Sequence, residues 1–297
     1  MSDQIKRVTG LLIIEAVNSN PNGNPDQESD PRVRDNGQGE ISPVSFKRKL
    51  RDLMEWTEGP VYQSVTETEK LPDVPDGYMF EILESRGRDR KEVTKEMGDI
   101  KKYEEEKFLQ SDFVKKYWDA RLFGNTFLED GGHKGCIKTG VAQFGMGLSV
   151  APVIIQRHTN TKKMAVQEGK SSGMAPLAYR VVQHGIYVMP FYTNPSLAKK
   201  SGCKPCDVEL LKRLIPYAYE HTRSAIRPDV RIRHAWWMEH HHPLGSCPDY
   251  LLIDALMPKR KGDDPSAPST AWGDYDVPPG LSGDLKQKVK CEDLMDR

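Results

Sequence analysis

Apolar residues in this chain gather into a few short runs separated by long polar stretches. The first run, Val8 to Val17 (VTGLLIIEAV), is β-branched and predicts a buried strand. It ends in Asn18-Ser19-Asn20-Pro21-Asn22-Gly23-Asn24-Pro25-Asp26. Asn and Gly accept left-handed backbone there and Pro removes donors, so the strand stops and the chain turns. Ser42-Pro43 opens a helix, with Ser42 as N-cap and Pro43 at the first position. Val44, Phe46, Leu50, Leu53 and Met54 are its apolar set, which leaves Lys47, Arg48 and Arg51 mostly on other faces. Residues 57–98 have no sustained period and read as loop-rich. One long helix is expected from about Asp99 to Phe123, closed by Gly124.

Residues 136–150 (CIKTGVAQFGMGLSV) read as a glycine-broken strand or hairpin, and Val181 to Met189 (VVQHGIYVM) as a further strand. Between them, 156–180 is polar, basic and without period, with Gly169, Ser171, Ser172 and Gly173 as joints. Asp207 caps a helix running toward Thr222, which Pro216 kinks or splits. Val230 to Met238 is the last clear strand, and the Pro-, Asp- and Lys-rich tail from Pro258 reads as extended or partly disordered. No internal repeat is present. Without its insertions the order is βαββαβ, which predicts an α+β, ferredoxin-like (RRM-like) fold. That fold leaves one sheet face open, a surface often used for single-stranded RNA.

Composition sets the class. The 297 residues suffice for one large domain or one domain with sizeable insertions. A charged fraction of 29% and a mean hydropathy of −0.64 describe a soluble chain. No apolar run reaches the length of a membrane span, and Leu11 to Ile14 is too short for a signal peptide. Five scattered cysteines (Cys136, Cys203, Cys206, Cys247, Cys291) suit a reducing cytoplasm. Net charge is zero, but it is segregated. Residues 61–130 carry a net −5, residues 131–233 a net +11 and residues 234–297 a net −4. A second excess of +4 falls within 31–51, from Arg32, Arg34, Lys47, Arg48, Lys49 and Arg51 against Asp35 and Glu40. Such segregation points to a polyanion-facing surface beside acidic surfaces able to dock basic parts of neighbouring subunits.

Three segments carry a resemblance. They are the Asn18–Asp26 turn cluster, Asp119-Ala120-Arg121-Leu122-Phe123-Gly124, and Gly140-Val141-Ala142-Gln143-Phe144-Gly145-Met146-Gly147. Their order and spacing resemble the backbone subunit of type I CRISPR surveillance complexes, the repeated RNA-binding protein of Cascade. Asn-Pro-Asn-Gly-Asn-Pro-Asp and His184-Gly185-Ile186-Tyr187 are most similar to the type I-C branch, then type I-B. Val141-Ala142 stands where the family usually has Pro-Val, and it keeps small apolar strand residues.

The resemblance implies a non-catalytic protein without cofactor or metal. Its partners would be the CRISPR guide RNA, target DNA through the guide, further copies of itself, and the large, small and guide-processing subunits. It also implies a palm (1–56, 126–155, 181–257), fingers (57–125), a thumb (156–180) and a C-terminal extension (258–297). Holding a guide without reading its sequence needs phosphate contacts and close backbone approach. The expected RNA contacts are therefore Arg32, Arg34, Lys47, Arg48 and Arg51. Asn22, Gly23, Gln143, Phe144, Gly145 and Met146 join them, with Arg157, Lys162 and Lys163 in the thumb and Met164 as a wedge against a base. Either indole of Trp236-Trp237 is open to a stacking role in a half-exposed strand.

Two other chemistries stay open. Cys203-Lys-Pro-Cys206 has zinc-like spacing, with His240, His241, His242 and Cys247 further on, but no second CxxC or CxxH. A repeat-RNA-processing endoribonuclease would use His158 or His184, neither of which has a sequence neighbour implying a pair. Asp26 and Asp30 read as turn-capping carboxylates.

Overall fold

The computed structural model describes residues 4–27, 29–68, 71, 73–98, 104–124, 139–164 and 173–296. Strand β1 (Val8–Ser19) leads through a small ladder of β2 (Gly23–Asn24) and β3 (Asp30–Pro31) to β4 (Gln38–Ile41) and helix α1 (Pro43–Glu55). Then come α2 (Pro60–Gln63), α3 (Arg90–Met97), α4 (Glu105–Leu109), α5 (Asp112–Lys116) and α6 (Trp118–Phe123). The middle of the chain holds β5 (Ala142–Phe144), β6 (Gly147–Pro152), β7 (Ile155–Met164) and β8 (Gly173–Thr193). After α7 (Ala198–Ser201), α8 (Pro205–Leu214) and β9 (Val230–His240) follow α9 (Asp249–Leu256), β10 (Lys259–Arg260), β11 (Tyr275–Asp276), α10 (Gly283–Lys288) and β12 (Val289–Asp293).

One antiparallel sheet dominates, with β12, β9, β1, β8, β6 and β4 side by side in that order. β5 and β7 also pair with β8. β1 is central because its residues are apolar on both faces. Val8, Leu12, Ile14 and Ala16 pack with α1 and α8 through Phe46, Leu50, Leu210 and Leu214. Leu11 and Ile13 point the other way, into a second core with Ile186, Trp236, Met238, Leu252, Leu256, Tyr275, Leu281 and Val289. That second core overturns the expectation of an open sheet face. Much of the chain after β9 folds over it, so the described tail (258–296) is structured and carries the edge strand β12, paired with β9 from Val289–His240 to Asp293–Trp236, while Leu294 and Met295 pack on the first core. Trp236 and Trp237 are accordingly both buried, on opposite faces, and neither indole is exposed for stacking.

Two further expectations change. The long helix of Asp99 to Phe123 is three short ones over its described part (104–123). Ser111 caps α5, its Oγ accepting from the Val114 N–H (3.4 Å), and Tyr117 turns extended to bridge to Glu81. The periodless stretch after 155 is a β-ribbon, with β7 pairing β8 from Ile155–Val182 to Met164–Gly173; the loop 165–172, with Gly169, Ser171 and Ser172, lies outside the described residues, as does Cys136. Asp207 occupies the third position of α8 and accepts from the Lys204 N–H (2.8 Å), while Ile215–Tyr217 forms a 3-10 turn at Pro216. Ser42 caps α1 as expected, accepting from the Ser45 N–H (3.2 Å). Among the described residues no helix is long and apolar enough to cross a membrane.

Candidate nucleic-acid interface

The Asn- and Pro-rich turn is a rigid mount for α1. Asn18 takes a positive φ (44°) one residue before β1 ends at Ser19. Asn20 donates to the Ser29 carbonyl (2.7 Å), and the Asn22 Oδ1 accepts from both the N–H and the Oγ of Ser42 (2.8 Å each). Asn22 thus fixes the helix cap, and Gly23 sits where a Cβ would meet the Ser29 carbonyl at 2.9 Å. Arg32 reaches the Gly23 carbonyl (3.5 Å), and Arg34 pairs with Glu40.

On α1 the expected phosphate contacts divide. Arg51 is buried between Asp119 (2.8 Å) and Glu84 (2.9 Å), so it is a structural group. Arg48 is held by Asp52 (2.9 Å) and Glu55 (2.5 Å). Lys47 is half-buried, its ammonium 5.1 Å above the Phe123 ring. Burial and the neighbouring Arg51 push it down to about 8.

The two other motif segments are built into the fold. Asp119 accepts from the Leu83 and Glu84 N–H groups (2.7 and 3.2 Å) as well as from Arg51. Arg121, fully buried, donates to Asp207, to the Val114, Lys115 and Met79 carbonyls, and has every N–H occupied. Gly124 then takes a positive φ (79°) that ends α6. Phe144 belongs to the core, 5.1 Å from Phe46 and 5.2 Å from Phe191 between ring centres. Gln143 donates to the Gly140 carbonyl (3.1 Å), Gly145 donates to the Pro190 carbonyl (2.7 Å), and Met146 is half-buried.

The ribbon rises beside the Asn-rich turn. Arg157 is exposed and faces Arg180 across the two strands, while Arg180 pairs with Asp30 of β3. His158 stacks on Tyr179, rings 5.8 Å apart and 13° from parallel. Lys162, Lys163 and Met164 pair through their backbones with Ala175, Met174 and Gly173, and their side chains lie outside the described residues.

The C-terminal end of β1, where Ser19 faces Val182 and Ala16 faces Val230, therefore gathers the turn, the cap of α1, the ribbon base and the segment before β9. Three basic groups there were not among the expected RNA contacts. Arg180 is one. Lys49, 6% exposed, is pushed down to about 8 by burial and by Arg227. Arg227 donates to the Asn20 carbonyl (2.8 Å), and burial lowers its own pKa. Lys49 falls on the apolar side of the helical pattern, which hid it. Arg227 was visible only within the summed charge of 131–233.

The other chemistries find little geometry. His184 is buried, Nδ1 2.7 Å from Ser269 Oγ and Nε2 3.3 Å from Glu15, with no open side for a substrate. Cys203 and Cys206 are core residues whose thiols burial pushes up, Cys206 to about 12, against the thiolate that a metal requires. His240 bonds Thr9 (2.9 Å). Among the described residues no three His, Cys, Asp or Glu side chains converge on a metal position.

This is a mixed α/β protein with one large antiparallel sheet and basic groups collected at one end of it. The family model of the CRISPR-associated protein Cas7 matches residues 6–279, and the chain belongs to that family. Curated proteins give no significant match. One similar solved structure is described as a CRISPR RNA-guided surveillance complex, pre-nicking, with 13% identity, a TM-score of 0.44 and 80% of each chain covered. Another, a CRISPR RNA-guided surveillance complex, has 14% identity and a TM-score of 0.38, covering 80% of this chain and 73% of that one.

Proposed function

We propose that this protein is a non-catalytic guide-RNA-binding backbone subunit of a type I CRISPR surveillance complex, of the I-C branch. Copies assemble head to tail in the cytoplasm along the guide, between the large, small and guide-processing subunits, and leave guide bases open to target DNA. The observation that carries this reading is the convergence of turn, α1, ribbon base and Arg227 at one end of the sheet, in a chain of this family. The order β9-β1-β8-β6, with α1 after β1 and α8 after β8, supports a ferredoxin-like palm. On it, 57–125 act as fingers and the 156–180 ribbon as a thumb that carries Met164 toward a base. The RNA contacts are Arg32, Lys47, Arg157, Lys162, Lys163 and the backbone at Gly23 and Gly145, joined by Lys49, Arg180 and Arg227. Light scattering after size exclusion, with a guide RNA of known length, tests it. Several copies per intact guide in one particle is the expected result. A monomer that ignores or cuts the RNA would overturn the proposal.

A further inference from the structure

The acidic groups around α1 are fully engaged. Asp52 binds Arg48 (2.9 Å) and Arg86 (2.9 Å), Glu55 binds Arg48 (2.5 Å), and Glu84 and Asp119 both bind Arg51. Those four carboxylates stand against six cations, because Lys47, Lys49 and Arg227 crowd the three arginines. Lys47 and Lys49 sit at the two rims of the ion-paired stripe, and neither has a carboxylate within ion-pairing distance among the described residues. Lys47 faces Arg51 on its own helix, the apolar ring of Phe123 on α6, and a Glu84 already held by Arg51. Lys49 faces Arg227 from the segment before β9, Arg86 from the loop after Glu84, and Arg48 and Asp52 on α1. A desolvated ammonium among like charges binds its proton weakly until an anion arrives.

We propose that Lys47 and Lys49 make RNA binding proton-linked: the phosphodiester backbone supplies the counter-charge that the fold withholds, and both lysines take up protons as it binds. This rests on the RNA-binding reading above. Burial and neighbouring cations set both lysines at about 8 in the free protein, whereas an ordinary lysine holds its proton to about pH 10. Affinity for RNA then falls as pH rises through 8, by up to about tenfold per pH unit for each lysine. At pH 8 each lysine is about half protonated, so binding takes up about one proton per protein copy.

The test uses a single strand of adenosines, which has no group titrating between pH 7 and 9.5. Affinity is measured across that range for the wild type and for the double variant Lys47→Arg, Lys49→Arg, whose guanidinium groups stay charged. The expected result is a steep loss for the wild type above pH 8 and a flat profile for the variant. Calorimetry of the wild type at pH 8, in two buffers of different ionisation enthalpy, reads proton uptake directly and needs no variant. Constant wild-type affinity to pH 9, an equal loss in both proteins, or no proton uptake would overturn the proposal while leaving the RNA-binding reading intact. No binding even at pH 7 would overturn that reading itself.

Discussion

At the scale of single residues, arginines divide into those that hold the protein together and those that face outward. The sequence pattern cannot tell them apart. Arg51 looks like an outward base on a helix, yet its partner Asp119 lies 68 positions away and α6 carries it in. Arg121 is the extreme case, with a completely buried ion pair to Asp207 and three backbone carbonyls. Arg121→Ala would strand Asp207 in the core, and we expect a loss of about 3–5 kcal/mol in urea denaturation. Arg34→Ala, which breaks only an exposed pair with Glu40, should cost less than about 1 kcal/mol. What the sequence did make legible is local. Ser42 caps its helix and Asn18 turns the chain because both act within a few residues of themselves. Lys49 entered only the charge excess of 31–51 and Arg227 only that of 131–233, because the meaning of each depends on the other.

At the scale of elements, strands with apolar, β-branched sequence were readable, and those made by pairing were not. The ribbon of β7 and β8 shows no sustained apolar period to betray it; strand pairing from Ile155–Val182 to Met164–Gly173 defines it. The segment after Pro258 reads as extended or partly disordered because its apolar groups are few and scattered among Pro, Asp and Lys. Few apolar groups, Tyr275, Leu281 and Val289 among them, suffice to dock it because the sheet offers a complete apolar face. Its edge is fixed by Asp293. Burial alone would raise that carboxyl, but His234 Nδ1 (2.6 Å) and the Ala235 and Met295 N–H groups (2.8 and 3.1 Å) hold it below the usual carboxylate range. A carboxylate lowered by folding stabilises above its unfolded pKa, and that contribution is lost as pH falls through its folded value. Asp293→Asn should therefore cost about 1–3 kcal/mol at pH 7. The gap to wild type should close below about pH 4, read from thermal melts across pH.

At the scale of the whole molecule, a mixed α/β chain was legible in its succession of strand and helix patterns, but the covered second face of its large antiparallel sheet was not. Its signal was present in β1, where every position from Val8 to Ala16 is buried instead of every other one. Under the proposed function, covering that face leaves the end of the sheet for RNA contact, where charge and shape replace stacking on a strand. Replacing Lys47 and Arg157 with Ala should weaken binding equally for unrelated RNA sequences. If two phosphate contacts go, the slope of log affinity against log salt should fall by about 1.4. Filter-binding titrations at several salt concentrations read this slope, and a loss confined to one sequence would speak against phosphate contact.

The central strand is also made long before either of the strands that flank it. Val8 waits for Thr193 on one side and Glu239 on the other. At about 5–20 residues per second, that wait lasts on the order of ten seconds or more. Throughout it, a segment greasy on both sides has no mate, an invitation to chaperones and to neighbouring nascent chains alike. The yield of this protein in a cell should then depend less on how stable the finished sheet is than on how quickly, and in what company, translation reaches its last strand.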